Sequence, residues 1–142
     1  MKVYDLMCDH VISVGADEPV TAAARILKQQ NIGALPVCGK DGRLQGIVTD
    51  RDIVLRCVAP AVDPDTLTVR DVMTRGVVTV SPYDDIAAAA RLMASSQVRR
   101  LPVCQDGAVV GMLALGDLAQ NGSCDMEAAN ALSDISSNIR RR

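Results

Sequence analysis

The chain contains no Trp and no Phe, and its only aromatic rings of that kind are Tyr4 and Tyr83. A platform for single-stranded nucleic acid depends on stacked rings, and two tyrosines cannot supply one. Positive charge is not in surplus either. Fifteen Lys+Arg stand against 17 Asp+Glu, a formal net charge of -2, so bulk attraction to a phosphate backbone is missing. Nucleic acid is not an expected partner. A single histidine, His10, leaves almost no side chain that titrates near neutrality for acid–base work. The G-x-S-x-G, H-E-x-x-H, Walker A and G-x-G-x-x-G patterns are all absent. No catalytic residue and no enzyme activity are expected.

No apolar run approaches the roughly 20 residues needed to span a bilayer. Lys2 and Asp5 bring charge to the start at once, unlike a signal peptide. The five cysteines, Cys8, Cys38, Cys57, Cys104 and Cys124, form no C-x-x-C pair, and their number is odd. That usage suits reduced thiols better than a disulfide framework. A soluble cytoplasmic protein without membrane contact is the expectation. What the chain does have is 49% apolar residues over 142 positions. This is enough for one ordinary domain or two very small ones.

The second of these fits, because the chain is one unit written twice. Shifted by 66 positions, residues 3–38 fall on 69–104. Val3, Asp5, Met7 and Val14 meet Val69, Asp71, Met73 and Val80. Ala22-Ala23-Ala24-Arg25 meets Ala88-Ala89-Ala90-Arg91, and Leu35-Pro36-Val37-Cys38 meets Leu101-Pro102-Val103-Cys104. After one residue is dropped in a turn, Asp41-Gly42, Gly46 and Asp52 meet Asp106-Gly107, Gly111 and Asp117. Each unit reads β-α-β-β-α. β-type stretches cover 11–14 and 77–80. A helix follows, with Asp17 as N-cap, Pro19 in the first turn, and an apolar stripe of Val20, Ala23, Ala24 and Leu27. Ile86, Ala89, Ala90 and Met93 repeat that stripe. Hairpins about Asp-Gly turns join 34–38 with 44–48 and 101–104 with 109–113. Short helices then carry Ile53-Val54-Leu55 and Leu118.

The expected organisation is a first repeat over 1–58, a linker over 59–68, a second repeat over 69–120 and a tail over 121–142. A unit of about 50 residues buries little alone, so the two repeats are expected to pack through their sheets as a pseudo-two-fold pair. In the tail, Ala128, Leu132, Ile135 and Ile139 follow helical spacing, and the chain ends in Arg140-Arg141-Arg142. An amphipathic C-terminal helix is expected there, with a partner protein as one use for it.

Two motifs carry a family resemblance. One is the helix–strand junction Ile32-Gly33-Ala34-Leu35-Pro36-Val37 and its repeat Val98-Arg99-Arg100-Leu101-Pro102-Val103. The other is Gly46-Ile47-Val48-Thr49-Asp50-Arg51-Asp52. With the duplication, they resemble the tandem CBS-domain pair, or Bateman module, over about residues 3–120. The chain is similar to the small stand-alone CBS-pair proteins of bacteria. The resemblance implies an α/β fold of the α+β type and frequent dimers. It also implies an adenosine-containing ligand (AMP, ADP, ATP, NAD or S-adenosylmethionine) in the cleft between repeats. Such a nucleotide is a regulatory ligand, not a cofactor, and a homodimer that signals through its geometry or through a partner is the matching expectation.

The residues themselves leave two roles open at the candidate site. Thr49 to Asp52 marks a strand end and a helix start, where free backbone N–H groups favour anions. Thr49 and Arg51 suit a phosphate. Asp52, repelled by phosphate, suits ribose hydroxyls. Thr-x-x-Asp is equally close to a capping box that needs no ligand. Ile12, Ala34, Leu35 and Pro36 match the family positions that line the adenine pocket. The second repeat departs from the pattern: Thr49 becomes Ala114 and only Asp117 remains. Arg99 and Arg100, beside Leu101 and Pro102, either supply charge to a second, weaker site or form a solvated face. Cys8 and His10 are the one Cys/His cluster. Two donors do not make a zinc site, so no metal is expected, and a thiol- or metal-linked stress protein stays a third reading behind a ligand-independent scaffold. Cys38 and Cys104 read as buried small hydrophobes.

Overall fold

A computed structural model describes residues 1–120 together with Leu132 and Ile135. In chain order the first elements are α1 (Val3–Leu6), β1 (Val14–Gly15), α2 (Val20–Gln30), β2 (Ala34–Cys38), β3 (Leu44–Thr49) and α3 (Asp50–Ile53). A π-helical turn over Val54–Val58 continues α3. Then come α4 (Val69–Val72), α5 (Ile86–Ser96), β4 (Arg100–Gln105), β5 (Ala108–Ala114) and α6 (Leu115–Ala119). The chain divides into two compact units. The first holds Ile12–Val77 and Gly107–Val109. The second holds Met1–Val11, Val78–Asp106 and the described residues from Val110 onward.

In the first unit β1 runs parallel to β2, pairing Val14 with Val37, and β2 runs antiparallel to β3, pairing Leu35 with Val48. Alternation along β3 buries Gly46 and Val48. In α2 the residues Val20, Ala23 and Leu27 turn inward. Ala24, expected in that stripe, is exposed, because the helix rests on the sheet along a narrower face. Asp17 is not the cap. The helix opens at Pro19, and the Val20 N–H is met by the Leu67 carbonyl at 2.9 Å. A backbone partner thus replaces the side-chain cap. Asp17 instead pairs with Arg70. The second unit repeats the plan with Ile86, Ala89, Ala90 and Met93 buried on α5. The hairpin of the second sequence repeat turns on Asp106 and Gly107, with φ of 55° and 84°. Both values are positive, as a two-residue type I′ turn requires.

The first strand of each repeat is shorter than its apolar run suggests. In the first unit only Val14–Gly15 joins the sheet, and in the second only Val80 bridges, in parallel, to Val103. Residues 11–13 and 77–79 pair with no strand among the described residues, and β propensity alone makes no ladder.

The compact units cut across the sequence repeats, because the leading helices are exchanged. Val3 on α1 lies in the second core with Met93, Leu101 and Leu113. Val69, Val72 and Met73 lie in the first core with Leu35, Val37 and Val48. The segment 59–68, read as a linker, is tied into the first unit. Thr21 N–H donates to the Pro64 carbonyl at 3.2 Å, and Val20 N–H donates to the Leu67 carbonyl at 2.9 Å. Of the helical tail expected over 121–142, Leu132 and Ile135 are helical, and Ile135 is buried in the second core. The rest of that expectation lies outside the described residues. No described helix is long and apolar enough to cross a membrane.

Candidate functional site

The Gly46 to Asp52 motif forms a closed reciprocal cap. Thr49 is the N-cap of α3 in extended conformation, and its Oγ1 accepts from the Asp52 N–H at 3.0 Å. Asp52 Oδ2 accepts from the Thr49 N–H at 3.0 Å. The capping role weighed in the sequence is therefore in place. Asp52 is also the buried charged residue among those described, at 8% exposure. A buried carboxylate needs partners, and there are two: Thr74, brought by the fold from 22 residues away, and Arg56, four residues along the same helix. Thr74 donates its hydroxyl to Asp52 at 3.2 Å to Oδ1 and 3.4 Å to Oδ2. The Arg56 guanidinium stands 3.8 Å from Oδ1 while donating to the Val72 and Met73 carbonyls at 2.8 and 3.0 Å. Thr74 arrives because its backbone pairs with β3: Ile47 N–H to Thr74 O is 2.9 Å, and the return bond is 2.8 Å.

The other expected residues of this site divide by burial. Arg51 is exposed, Thr49 and Ala34 are half-buried, and Ile12 is half-buried against the first core. Leu35 is fully buried in that core and Pro36 is buried in β2. Asp50 N–H donates to the Gly33 carbonyl at 3.1 Å, which fixes the start of α3 to the start of β2.

The second repeat keeps half of this arrangement. Asp117 Oδ2 accepts from the Ala114 N–H at 2.8 Å. Alanine has no oxygen with which to return the bond. Leu115 N–H donates to the Arg99 carbonyl at 2.8 Å, the counterpart of the Asp50–Gly33 bond. Leu101 and Pro102 are buried, while Arg99 and Arg100 are exposed. The asymmetry between the two motifs is thus structural as well as sequential.

The thiols and acids elsewhere are accounted for locally. Cys38 is buried, and burial pushes its thiol pKa up, which makes it a poor nucleophile. Cys104 is half-buried rather than buried. Cys8 and His10 are exposed, with Cys8 Sγ 3.9 Å from the His10 carbonyl. No group of three or more His, Cys, Asp or Glu that could hold a metal occurs among the described residues. Asp85, at the start of α5, pairs with Lys2 Nζ at 2.7 Å. The hydrogen bond between them, and then their opposite charges, hold the Asp85 carboxyl below, and the Lys2 amine above, its ordinary value.

The duplication and the paired Gly-x-x-(Thr/Ala)-x-x-Asp turns find their counterpart in known proteins. The model of the CBS domain matches residues 3–59 and again 69–122. The chain belongs to the CBS domain family. It is an α/β protein carrying two CBS repeats. The CBS domain-containing protein YhcV of Bacillus subtilis (strain 168) is 41% identical over 135 residues, 95% of either chain. The crystal structure of Hypoxic Response Protein I with two coordinated zinc ions is 37% identical, with a TM-score of 0.79. The match covers 85% of this chain and 98% of that one. The CBS domain pair of protein MJ0100, solved with methylthioadenosine and S-adenosyl-L-methionine, is 28% identical with a TM-score of 0.75. It covers 84% and 94% of the two chains.

Proposed function

We propose that this CBS pair is a non-enzymatic regulatory module that binds an adenosine-containing ligand at the Thr49–Asp52 turn. The observation that carries the reading is Asp52: a buried carboxylate held at a strand-to-helix junction, in a fold whose solved relative MJ0100 holds two adenosine derivatives. The turn has capacity beyond its own cap. Thr49 Oγ1 accepts one bond, and its hydroxyl proton has no acceptor among the described residues. It serves a phosphate or another anionic group, with exposed Arg51 beside it. Asp52 serves the ribose hydroxyls, which take over the acceptor positions now used by the Thr74 hydroxyl. Ile12 and Ala34 supply apolar contact for the base. A second, weaker site at Asp117 has Arg99 and Arg100 for charge but lacks a hydroxyl at Ala114. The ligand undergoes no reaction. It shifts a population between conformations or assemblies, and a partner or a second copy reads the shift.

The test is thermal melting against AMP, ADP, ATP, NAD and S-adenosylmethionine. A ligand at about 100 times its Kd adds about 2.7 kcal/mol, a rise of several degrees. One nucleoside class is expected to raise Tm in the wild-type protein and not in Asp52→Asn. If none does at millimolar concentration, a ligand-independent scaffold becomes the better reading.

A zinc-linked role is the second reading, favoured by the two zinc ions in the Hypoxic Response Protein I structure. Cys8 and His10 offer suitable donors, but two of zinc's usual four. The described residues of one chain do not complete the set. Elemental analysis of untagged protein separates the readings. The nucleoside reading expects the melting shift to persist in Cys8→Ser. Near-stoichiometric zinc that disappears in Cys8→Ser, together with loss of that shift, favours the second.

A further inference from the structure

Tyr4 and Tyr83 are the two rings of a chain that has no Trp and no Phe. They are distant in sequence, yet the second unit brings their ring centroids to 6.2 Å, edge to face at 66°. Neither is used in the core: Tyr4 is 51% and Tyr83 62% exposed. Rings are the largest apolar side chains a protein can bury, so leaving both at the surface forgoes that stabilisation. The pair forms part of a cleft of about 480 Å³ completed by Met7, Pro82, Val110, Lys2 and Gln105. All of these residues belong to the second unit.

The cleft is built on fixed backbone. Tyr4 N–H donates to the Pro82 carbonyl at 3.0 Å, Val3 N–H to Asp84 at 2.9 Å and Ile86 N–H to Met1 at 3.0 Å. The Lys2 ammonium closes the same junction on Asp85 at 2.7 Å. The segment carrying Tyr4 is thus zipped to the segment carrying Tyr83, and the two rings lose little freedom when something settles on them.

Exposure, hydrogen bonding and charge together define the occupant. A compact small molecule is mostly buried in its site, and rings this exposed do not enclose one. An extended chain crossing the cleft needs only their faces. The Tyr4 hydroxyl makes no hydrogen bond among the described residues. The Tyr83 oxygen accepts from Gln105 Nε2 at 3.5 Å, which leaves its proton without an acceptor there. Those protons suit a chain rich in carbonyl acceptors and poor in N–H donors. A proline-rich segment in the polyproline II form is such a chain, and its pyrrolidine rings pack on aromatic faces. The residues following the two rings are acidic and exposed: Asp5 after Tyr4, Asp84 and Asp85 after Tyr83. The lysine lining the cleft, Lys2, is already paired with Asp85. A basic residue beside the prolines complements that charge.

We infer that the Tyr4–Tyr83 cleft is a docking groove for a proline-rich segment of another protein, one that carries a basic residue beside its prolines. No residue of the Thr49–Asp52 turn lines it, so the groove goes beyond the nucleoside reading and does not rest on it.

Tyrosine fluorescence of the full chain tests the inference, because without Trp the protein's emission comes from these two rings. An oligoproline of about eight residues with Arg at each end is expected to change that emission saturably, with a Kd of about 100 µM, as suits a small open groove. Glu in place of each Arg is expected to raise Kd about tenfold. A Gly-Ser peptide with the same Arg ends is expected to leave the emission unchanged. Calorimetric titration of Tyr83→Ala is expected to give a Kd raised about tenfold or more, with far-UV circular dichroism unchanged because the ring stands outside the core. A wild-type protein with no saturable response overturns the inference and leaves the cleft to the chain's own tail or to a small molecule. Equal binding of the Gly-Ser peptide overturns it by showing charge attraction alone. Equal binding of the Glu-flanked peptide, or undiminished binding by Tyr83→Ala, overturns it as well.

Discussion

Asp52→Ala is expected to melt about 10 °C below the wild-type protein and to lose its response to nucleosides. The substitution removes the acceptor for the Thr49 N–H, for the Thr74 hydroxyl and for the nearby Arg56 guanidinium. Each orphaned donor carries a desolvation cost of about 1–3 kcal/mol when water cannot replace the partner. Partial access of water to the exposed Arg56 side reduces the sum to about 3 kcal/mol, and a chain of this size loses about 3–4 °C per kcal/mol. Asp52→Asn keeps the shape and one acceptor oxygen. It is expected to cost about half as much stability while abolishing most of the ligand shift, because an amide accepts fewer hydroxyl bonds than a carboxylate. Asp117→Ala, with the Ala114 N–H as its bond among the described residues, is expected to cost only about 1 kcal/mol. Scanning calorimetry of the three variants, with and without ligand, checks the set. An Asp52→Ala protein that melts within 2 °C of wild type would mean that the buried carboxylate holds nothing together.

Much of this site is visible in the sequence because its chemistry is local. A Thr and an Asp three residues apart meet within one turn of helix, whatever the rest of the fold does. The Asp-Gly hairpins and the small-residue helix stripes are legible for the same reason, and the duplication makes each of them appear twice. What the sequence does not disclose depends on segments distant along the chain. Thr74 lies 22 residues from Asp52 and looks like any threonine after a short helix. Arg56 stands at i+4 spacing from Asp52, which the sequence shows, but the Val72 and Met73 carbonyls that hold its guanidinium are 16 and 17 residues away. The exchange of α1 and α4 between the compact units is equally hidden, since Val3 and Val69 look apolar in either placement. Leu35 and Pro36 are legible as part of a motif, but the burial of both is not, because they lie on opposite faces of β2 and covering both faces takes segments distant along the chain.

Gly46→Ala is expected to lower Tm by about as much as Asp52→Ala, through space alone. A Cβ at Gly46 would stand 2.7 Å from the Thr74 carbonyl oxygen and 2.9 Å from Met73 Sδ. Met73 is buried in the first core and has little room to retreat, and the Thr74 oxygen is backbone. The added methyl therefore forces the segment 73–74 away from β3 and breaks the paired Ile47–Thr74 bonds. Overpacking of this kind costs about 1–3 kcal/mol, and the lost Thr74–Asp52 bond adds to it. The second unit repeats the constraint. A Cβ at Gly111 would stand 2.7 Å from Met7 Sδ and 2.9 Å from the Cys8 carbonyl, beside the paired bonds of Cys8 and Met112. Gly111→Ala is expected to match Gly46→Ala in cost but to leave the Thr49–Asp52 turn and its ligand response intact. Gly116→Ala is the control: nothing lies within 4 Å of a Cβ there, the residue is helical, and alanine is expected to hold or raise Tm. Equal melting of Gly46→Ala and Gly116→Ala would show that the 73–74 segment yields freely. In that case Thr74 would not be a firm partner of Asp52.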